Sequence, residues 1–317
     1  MTTPEPDLKL LASRHRFMRE AGFGLLLASC VLGVFLLLPS RAPAQPAAVA
    51  VAAASTTPDA FANVPVGANA AVVYDLTTGK ELFAKNADAQ LPLASLTKLL
   101  TMYAAFSELS AETPITVDAT DTQVDAPHAF QAGDTLPLAD IARVTLTGSL
   151  NDGAAAIART TAAREGLSIH DMLANVASSL GLAETYAVNG NGLDVSTALS
   201  GGYGSAHDIA VLAGALAAKA PEVAIATTGA TATATTEAGR SITAKNTDPF
   251  VGTIPGLLLS KTGYTDLAGG NLALVFDVGL GHPVAVVVLG STEEARFTDA
   301  EALVAATFAH FAGVAHL

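Results

Sequence analysis

The C-terminal third of the chain restricts the fold most. Residues 257–262, 271–278 and 283–289 are apolar runs separated by Gly-rich turns. Short apolar runs bounded in this way read as three antiparallel strands. Far upstream, Ala70 to Leu76 is an apolar run ending in a turn signal, and residues 80–85 follow it across Gly79. These two segments read as a β-hairpin. The pattern between the hairpin and the three strands is mostly helical. The two ends of this region are therefore expected to share one five-stranded antiparallel sheet, with a helical subdomain inserted between them. Residues 298–311 form a long apolar helix that would cover one face. The expected class is α/β in the α+β sense, a sheet flanked by helices.

Leu96, Leu99, Leu100, Tyr103 and Phe106 recur at helical spacing, which predicts a helix over about 95–109. Ser95 and Lys98 sit three residues apart at its head, and positions i and i+3 share a helix face. A serine is a poor nucleophile until a neighbouring base takes its proton. A lysine can be that base when burial lowers its pKa. Taken alone, the same four residues are better explained as an N-cap serine and a surface lysine.

Residues 113–135 are polar, with Gly and Pro, and predict loops and short strands. A helix over 137–146 carries Pro137 in its first turn, where proline is tolerated. Residues 147–153 break it, and a second helix runs to about 164. Ser149-Leu150-Asn151 thus falls on a loop between helices, where a simple Asn/Asp cap would also explain it. Residues 168–182 read as a further helix. The turn-rich Asn189–Leu193 stretch is expected to be architectural. Ser205-Ala206-His207-Asp208 resembles a capping box opening a helix to about residue 218. Residues 224–243 alternate Thr and Ala, which fits either a low-complexity loop or a half-buried strand pair. Arg296, just before the last helix, is expected to form a salt bridge or a cap, with contact to a substrate as the less favoured alternative.

Three patterns occur once each and in order: S-x-x-K at Ser95–Lys98, S-x-N at Ser149–Asn151 and K-T-G at Lys261–Gly263. This is the motif set of penicillin-binding proteins and class A β-lactamases. With Tyr74–Lys80, Pro92–Lys98, Asn151-Asp152, Asn191–Leu193 and Lys261–Thr265, the chain from about Ala70 onward resembles the serine D-alanyl-D-alanine carboxypeptidases. These are the low-molecular-weight penicillin-binding proteins, of β-lactamase/transpeptidase-like fold. The chain departs from that family at Leu150, where a small residue is usual, and at Gly153, where alanine is usual. Leu150 is expected to narrow the cleft or alter the loop.

The resemblance implies a peptidoglycan stem peptide ending in D-Ala-D-Ala as substrate and β-lactam antibiotics as covalent inhibitors, with no cofactor and no metal. Ser95 would attack the penultimate D-Ala carbonyl, Lys98 would take its proton, and Ser149 would relay a proton to the departing amine. Asn151 would hold Lys98 and bind the substrate amide. Lys261 would bind the terminal carboxylate or tune the Ser149 proton, and Thr262 would bond that carboxylate. Gly263 would let the peptide lie close along the strand edge. The Ser95 and Tyr264 backbone N–H groups would form the oxyanion hole. The alternative is endopeptidase or transpeptidase action on cross-links through the same acyl-enzyme. A β-lactamase is less favoured, because no E-x-x-L-N pattern lies between Asn151 and Lys261. A non-catalytic peptidoglycan-binding protein is disfavoured because every functional group is present.

Composition bears on location. Residues 1–45 carry five Lys/Arg and three Asp/Glu, leaving 11 basic against 26 acidic residues beyond them. So acidic a remainder disfavours nucleic acid as a partner. Cys30 is the one cysteine, which excludes an intramolecular disulfide. The seven histidines show no metal-site spacing and are expected at the surface or in caps. Ala21 to Leu38 is an uncharged, mostly apolar run after a basic segment, which predicts a membrane anchor with residues 1–20 in the cytoplasm. Signal cleavage after Ala42-Pro43-Ala44 is the alternative, and a lipoprotein box at Leu27–Cys30 is disfavoured by the apolar residues beyond it. Residues 39–63, rich in Pro, Ala and Thr, predict a tether, and 64–317 the catalytic domain of an envelope enzyme. Many members of the family carry a further C-terminal β domain and amphipathic helix. Neither is expected here, where the N-terminal run would supply the anchor.

Overall fold

Val286 and Val287 are neighbours on one strand and enter two different cores. The structure, a computed structural model, describes residues 59–313. The hairpin strands are β1 (Ala70–Asp75) and β2 (Lys80–Lys85). A short β3 (Leu91–Pro92) leads through a 3-10 turn, Ala94–Leu96, into α1 (Thr97–Glu108). The inserted region holds β4 (Pro114–Thr116), β5 (Thr135–Pro137), α2 (Leu138–Gly148), α3 (Asn151–Glu165) and α4 (Ile169–Ser179). It continues through β6 (Tyr186–Ala187), β7 (Gly202–Gly204), α5 (Ala206–Lys219) and α6 (Pro221–Ala226). The pair β8 (Thr231–Thr235) and β9 (Ser241–Lys245) precedes the long strands β10 (Leu257–Thr265), β11 (Gly269–Asp277) and β12 (Pro283–Ser291). The last element is α7 (Ala295–Phe311).

The main sheet has the order β10-β11-β12-β1-β2, antiparallel throughout, so hairpin and C-terminal strands do share it. Val284, Val286 and Val288 pack with Leu274, Phe276 and Leu303 under α7. Ala285, Val287 and Leu289 pack with Val72, Leu99 and Ile209 toward α1 and α5. A sheet covered on both faces has no polar side, which is why these strands read as unbroken apolar runs. The β1–β2 turn is held by Asp75, whose carboxylate accepts from Thr77 N (2.9 Å), Thr78 N (3.1 Å) and Thr78 Oγ1 (2.7 Å).

Several expectations change in detail. The Thr/Ala alternation forms the half-buried strand pair β8–β9, with Ala232, Ala234, Ile242 and Ala244 inward, while residues 221–226 are helical. Pro137 ends β5 and precedes α2 rather than lying inside it. Ser205 does cap α5, accepting from Asp208 N at 3.0 Å. The Asp208 carboxylate instead bonds Glu184 N (2.8 Å) and Thr185 Oγ1 (2.9 Å), so the box is not reciprocal. The tether boundary at residue 63 is set too late: Ala60 and Phe61 are buried in the α7-side core, with Phe61 near the Phe83 and His310 rings. Among the described residues no helix is long and apolar enough to cross a membrane. The Ala21–Leu38 run, Cys30 and the rest of the tether lie outside the described residues.

Candidate active site

The site is built where α1 begins. Ala94 takes a left-handed φ of +49°, which turns the chain sharply before Ser95. The turn is seated on the sheet by Asn271, whose Nδ2 donates to Pro92 O at 3.0 Å. Two glycines make room for it. A Cβ on Gly192 would lie 1.9 Å from Ala94 O, and one on Gly263 2.9 Å from Leu93 O. Gly263 is therefore required where β10 meets the serine turn, whatever it does for a ligand.

Lys98 follows one helical turn later, with 0% of its surface exposed. Its Nζ lies 2.8 Å from Ser95 Oγ, 2.7 Å from Asn151 Oδ1 and 2.7 Å from Asn191 O. The two amide oxygens only accept, so each must receive an N–H from the amine. A neutral amine has two N–H bonds and one lone pair, and the lone pair is then left for the Ser95 proton. Burial holds the Lys98 pKa well below its ordinary value, and the Lys261 charge lowers it further. The charge of Asp152 opposes the shift.

Ser149 and Lys261 form the second pair. Ser149 stands just past the end of α2 with φ +56°, a left-handed conformation that a serine adopts at a cost. Its Oγ accepts from Lys261 Nζ at 2.9 Å, and the same amine donates to Thr262 O at 2.6 Å. Lys261 is 1% exposed. Burial, with the nearby Arg296 charge, lowers its pKa to about 7. Thr262 Oγ1 lies 2.6 Å from Thr247 Oγ1. When Thr247 donates, the Thr262 proton stays free for an anion. Tyr264, the next residue but one, is 47% exposed.

Asn151 opens α3. Its Nδ2 donates to Asp125 O and Ala126 O, each at 2.9 Å. Both amide hydrogens are thereby engaged, so the expected contact to a substrate amide is not ready-made, whereas the contact to Lys98 is. Leu150 is 5% exposed and belongs to the core on the α1 side, so it fills the interior rather than narrowing the cleft. At Gly153 a Cβ would lie 2.1 Å from Thr145 Oγ1, so Thr145 occupies the space that alanine takes in the family.

Ser95, Lys98 and Asn151 thus form one hydrogen-bonded group and Ser149, Lys261 and Thr262 a second, with Gly263 against the serine turn, and the fold around them has known counterparts. The profile of the D-alanyl-D-alanine carboxypeptidase family matches residues 54–293. The chain belongs to this family. The D-alanyl-D-alanine carboxypeptidase DacD of Escherichia coli is 29% identical over 248 residues, which cover 73% of this chain and 61% of that protein. A D-alanyl-D-alanine endopeptidase of Pseudomonas aeruginosa is 30% identical over 156 residues, covering 46% of this chain and 50% of that protein. The crystal structure of penicillin-binding protein D2 from Listeria monocytogenes in its ampicillin-bound form superposes with a TM-score of 0.64. That pair shares 30% identity, over 78% of this chain and 99% of the other. The chain spans about three fifths of the length of the curated carboxypeptidases it matches.

Four neighbours of the site residues are assigned no contact to them by the motifs. Asn191 acts through its carbonyl, which has no side-chain signature, so the stretch read as architectural touches the Lys98 amine. Thr247 bonds Thr262 from a loop that shows no motif. Asp152 accepts from Ala129 N (2.8 Å) and Phe130 N (2.7 Å), fixing the segment beside Asn151. Among the described residues Arg296 has no salt-bridge partner, and its Nη1 donates to Gly263 O at 2.8 Å. Away from the site, Glu81, Asp88 and His207 bring ligand-type atoms within 4.8 Å of one another, a grouping invisible in the spacing. His207 Nδ1 there lies 2.8 Å from Glu81 Oε1. A separate apolar cavity of about 710 Å³, lined by Leu76, Gly214, Ile225 and Leu258 among others, contains none of the site residues.

Proposed function

We propose that this protein is a serine D-Ala-D-Ala carboxypeptidase that trims the terminal D-Ala from peptidoglycan stem peptides and is acylated by β-lactams. The observation that carries the reading is the Lys98 amine. It is fully buried and spends its N–H groups on Asn151 Oδ1 and Asn191 O, with Ser95 Oγ as its third neighbour. In the first step the Ser95 Oγ–carbon bond forms and the Ser95 proton passes to Lys98. Collapse of the tetrahedral intermediate breaks the bond to the terminal D-Ala nitrogen, which takes a proton through Ser149. Water then hydrolyses the ester and restores Ser95. Lys261 and Thr262 would receive the terminal carboxylate, Gly263 would keep the strand edge open to the peptide, and the Ser95 and Tyr264 N–H groups would stabilise the oxyanion.

Endopeptidase or transpeptidase action on cross-links would use the same acyl-enzyme, and the similarity to the Pseudomonas endopeptidase favours it as the second reading. A fluorescent penicillin followed by a D-Ala release assay separates the two. Labelling of wild type and none of Ser95→Ala, with D-Ala released from a stem-peptide mimic, is expected. Labelling with no release would point to cross-links. A penicilloyl adduct on Ser95→Ala would refute the nucleophile.

The setting proposed is the bacterial cell envelope. Residues 1–20 would be cytoplasmic and residues 21–38 a membrane anchor. The tether would end before Ala60, and the domain beyond it would face outward. The basic segment before an uncharged apolar run supports this orientation.

A further inference from the structure

Arg296, at the start of α7, is 6% exposed. Among the described residues no carboxylate lies within salt-bridge distance of it, and its Nε is buried without a partner. Its guanidinium carbon sits 4.7 Å from the Phe297 ring centre. A buried cation without a contacting counter-ion is costly. The directed contact that it makes is the 2.8 Å bond from Nη1 to Gly263 O.

That carbonyl shares one planar peptide unit with the Tyr264 N–H. In a trans peptide the C=O and N–H point in opposite directions. The carbonyl is turned to Arg296, so the Tyr264 N–H is turned away from it. The same stretch of β10 lies against the serine turn, because a Cβ on Gly263 would be 2.9 Å from Leu93 O and 3.3 Å from Leu96 N. The preceding peptide is pinned as well, since Lys261 Nζ donates to Thr262 O at 2.6 Å. Glycine has more backbone freedom than any other residue. Here both peptides flanking Gly263 are held by buried basic side chains.

We infer that Arg296 is a positioning residue: it fixes and polarises the Gly263–Tyr264 peptide so that the Tyr264 N–H is a preset donor to the oxyanion. The inference rests on the carboxypeptidase reading. As Ser95 Oγ bonds to the substrate carbon, the carbonyl π pair moves onto oxygen. The Tyr264 and Ser95 N–H groups then donate to that oxygen. Arg296 exchanges no proton and touches no substrate. A cation on the carbonyl end draws electron density along the peptide and strengthens the N–H as a donor.

The test uses the full-length protein and its Arg296→Met and Arg296→Lys variants. Stopped-flow acylation by a penicillin gives binding and acylation constants separately, and infrared spectra give the ester carbonyl stretch of the penicilloyl enzyme. Loss of an oxyanion donor typically costs about 10²–10³-fold, so Arg296→Met is expected to lose about 10²-fold in acylation. Binding is expected to stay within about threefold. The ester stretch should move to higher wavenumber, a change that mere loss of stability would not cause. Arg296→Lys should recover part of both effects, and it carries the test alone if the methionine variant does not fold. Acylation within about threefold of wild type and an unshifted stretch would overturn the inference. So would a loss confined to binding that disappears with the penicillin methyl ester, which would make Arg296 a carboxylate contact. Wild type that forms no adduct on Ser95 would instead remove the carboxypeptidase reading, and this inference with it.

Discussion

Lys261 Nζ stands 2.9 Å from Ser149 Oγ, although 112 positions separate the two residues. Lys98 Nζ makes a comparable approach to Ser95 Oγ, 2.8 Å away and three residues back. The molecule thus holds two lysine–serine pairs with buried amines, to which the proposed function gives different tasks.

Lys98 must lose a proton to act, and arginine cannot do so at any working pH. Lys98→Arg is therefore expected to be nearly as inactive as Lys98→Ala, each losing at least about 10²-fold in acylation. Lys261→Arg keeps a charge and a donor fork suited to carboxylate, and should retain measurable D-Ala release. Steady-state release from a stem-peptide mimic checks all three. A Lys98→Arg enzyme near wild-type activity beside a dead Lys261→Arg enzyme would reverse the roles.

The pH profile follows from the same pairs. Burial holds the Lys98 pKa well below its ordinary value and lowers that of Lys261 to about 7. If carboxylate capture needs the charged Lys261, kcat/KM should fall as pH rises through about 7. Arginine does not titrate there, so Lys261→Arg should lack that falling limb. An identical alkaline limb in both enzymes would show that another group controls it.

Stability should depend on pH in the opposite sense. Between about 7 and 10.5 the unfolded chain keeps a proton on Lys261 that the folded chain has lost. Stability rises with pH wherever the unfolded state binds more protons. The stability of wild type relative to Lys261→Met should therefore increase from pH 7 toward pH 10, as read by chemical denaturation. A difference that stays flat or shrinks would contradict a neutral buried lysine.

Gly192 links the loop at residues 189–193 to the nucleophile. It has φ +81°, and a Cβ there would lie 1.9 Å from Ala94 O. Gly192→Ala should cost about 1–3 kcal/mol of stability and displace Asn191 O from Lys98. Penicillin acylation should slow more than melting alone would explain. An acylation rate equal to wild type at a temperature where both are folded would show that the loop does not tune the base.

The apolar run at residues 21–38 predicts a protein that stays with membranes through an alkaline wash, with its folded domain open to external protease. Protection of that domain in intact cells would contradict the orientation. A mature N-terminus at Gln45 would show signal cleavage in place of anchoring.

Much of this was legible in the residues because it is local. The Ser95–Lys98 approach needs only helical spacing, and four of the five strands announce themselves as apolar runs, with residues 80–85 following the first across Gly79. The order of the three motifs sufficed to name the family. What only the tertiary structure decided is the state of the groups those motifs supply. The buried Lys98 amine has its neighbours set by Asn151 Oδ1 and Asn191 O, 53 and 93 positions away. One of those acceptors is a main-chain carbonyl, which every residue carries and no sequence pattern distinguishes. Arg296 shows the same limit from the donor side. Its position before the last helix suggested a cap or an ion pair, but the fold buries it against Gly263 O, 33 residues upstream. Side-chain chemistry is written along the chain, whereas the burial and backbone partners that set a pKa arise only when distant segments close around it.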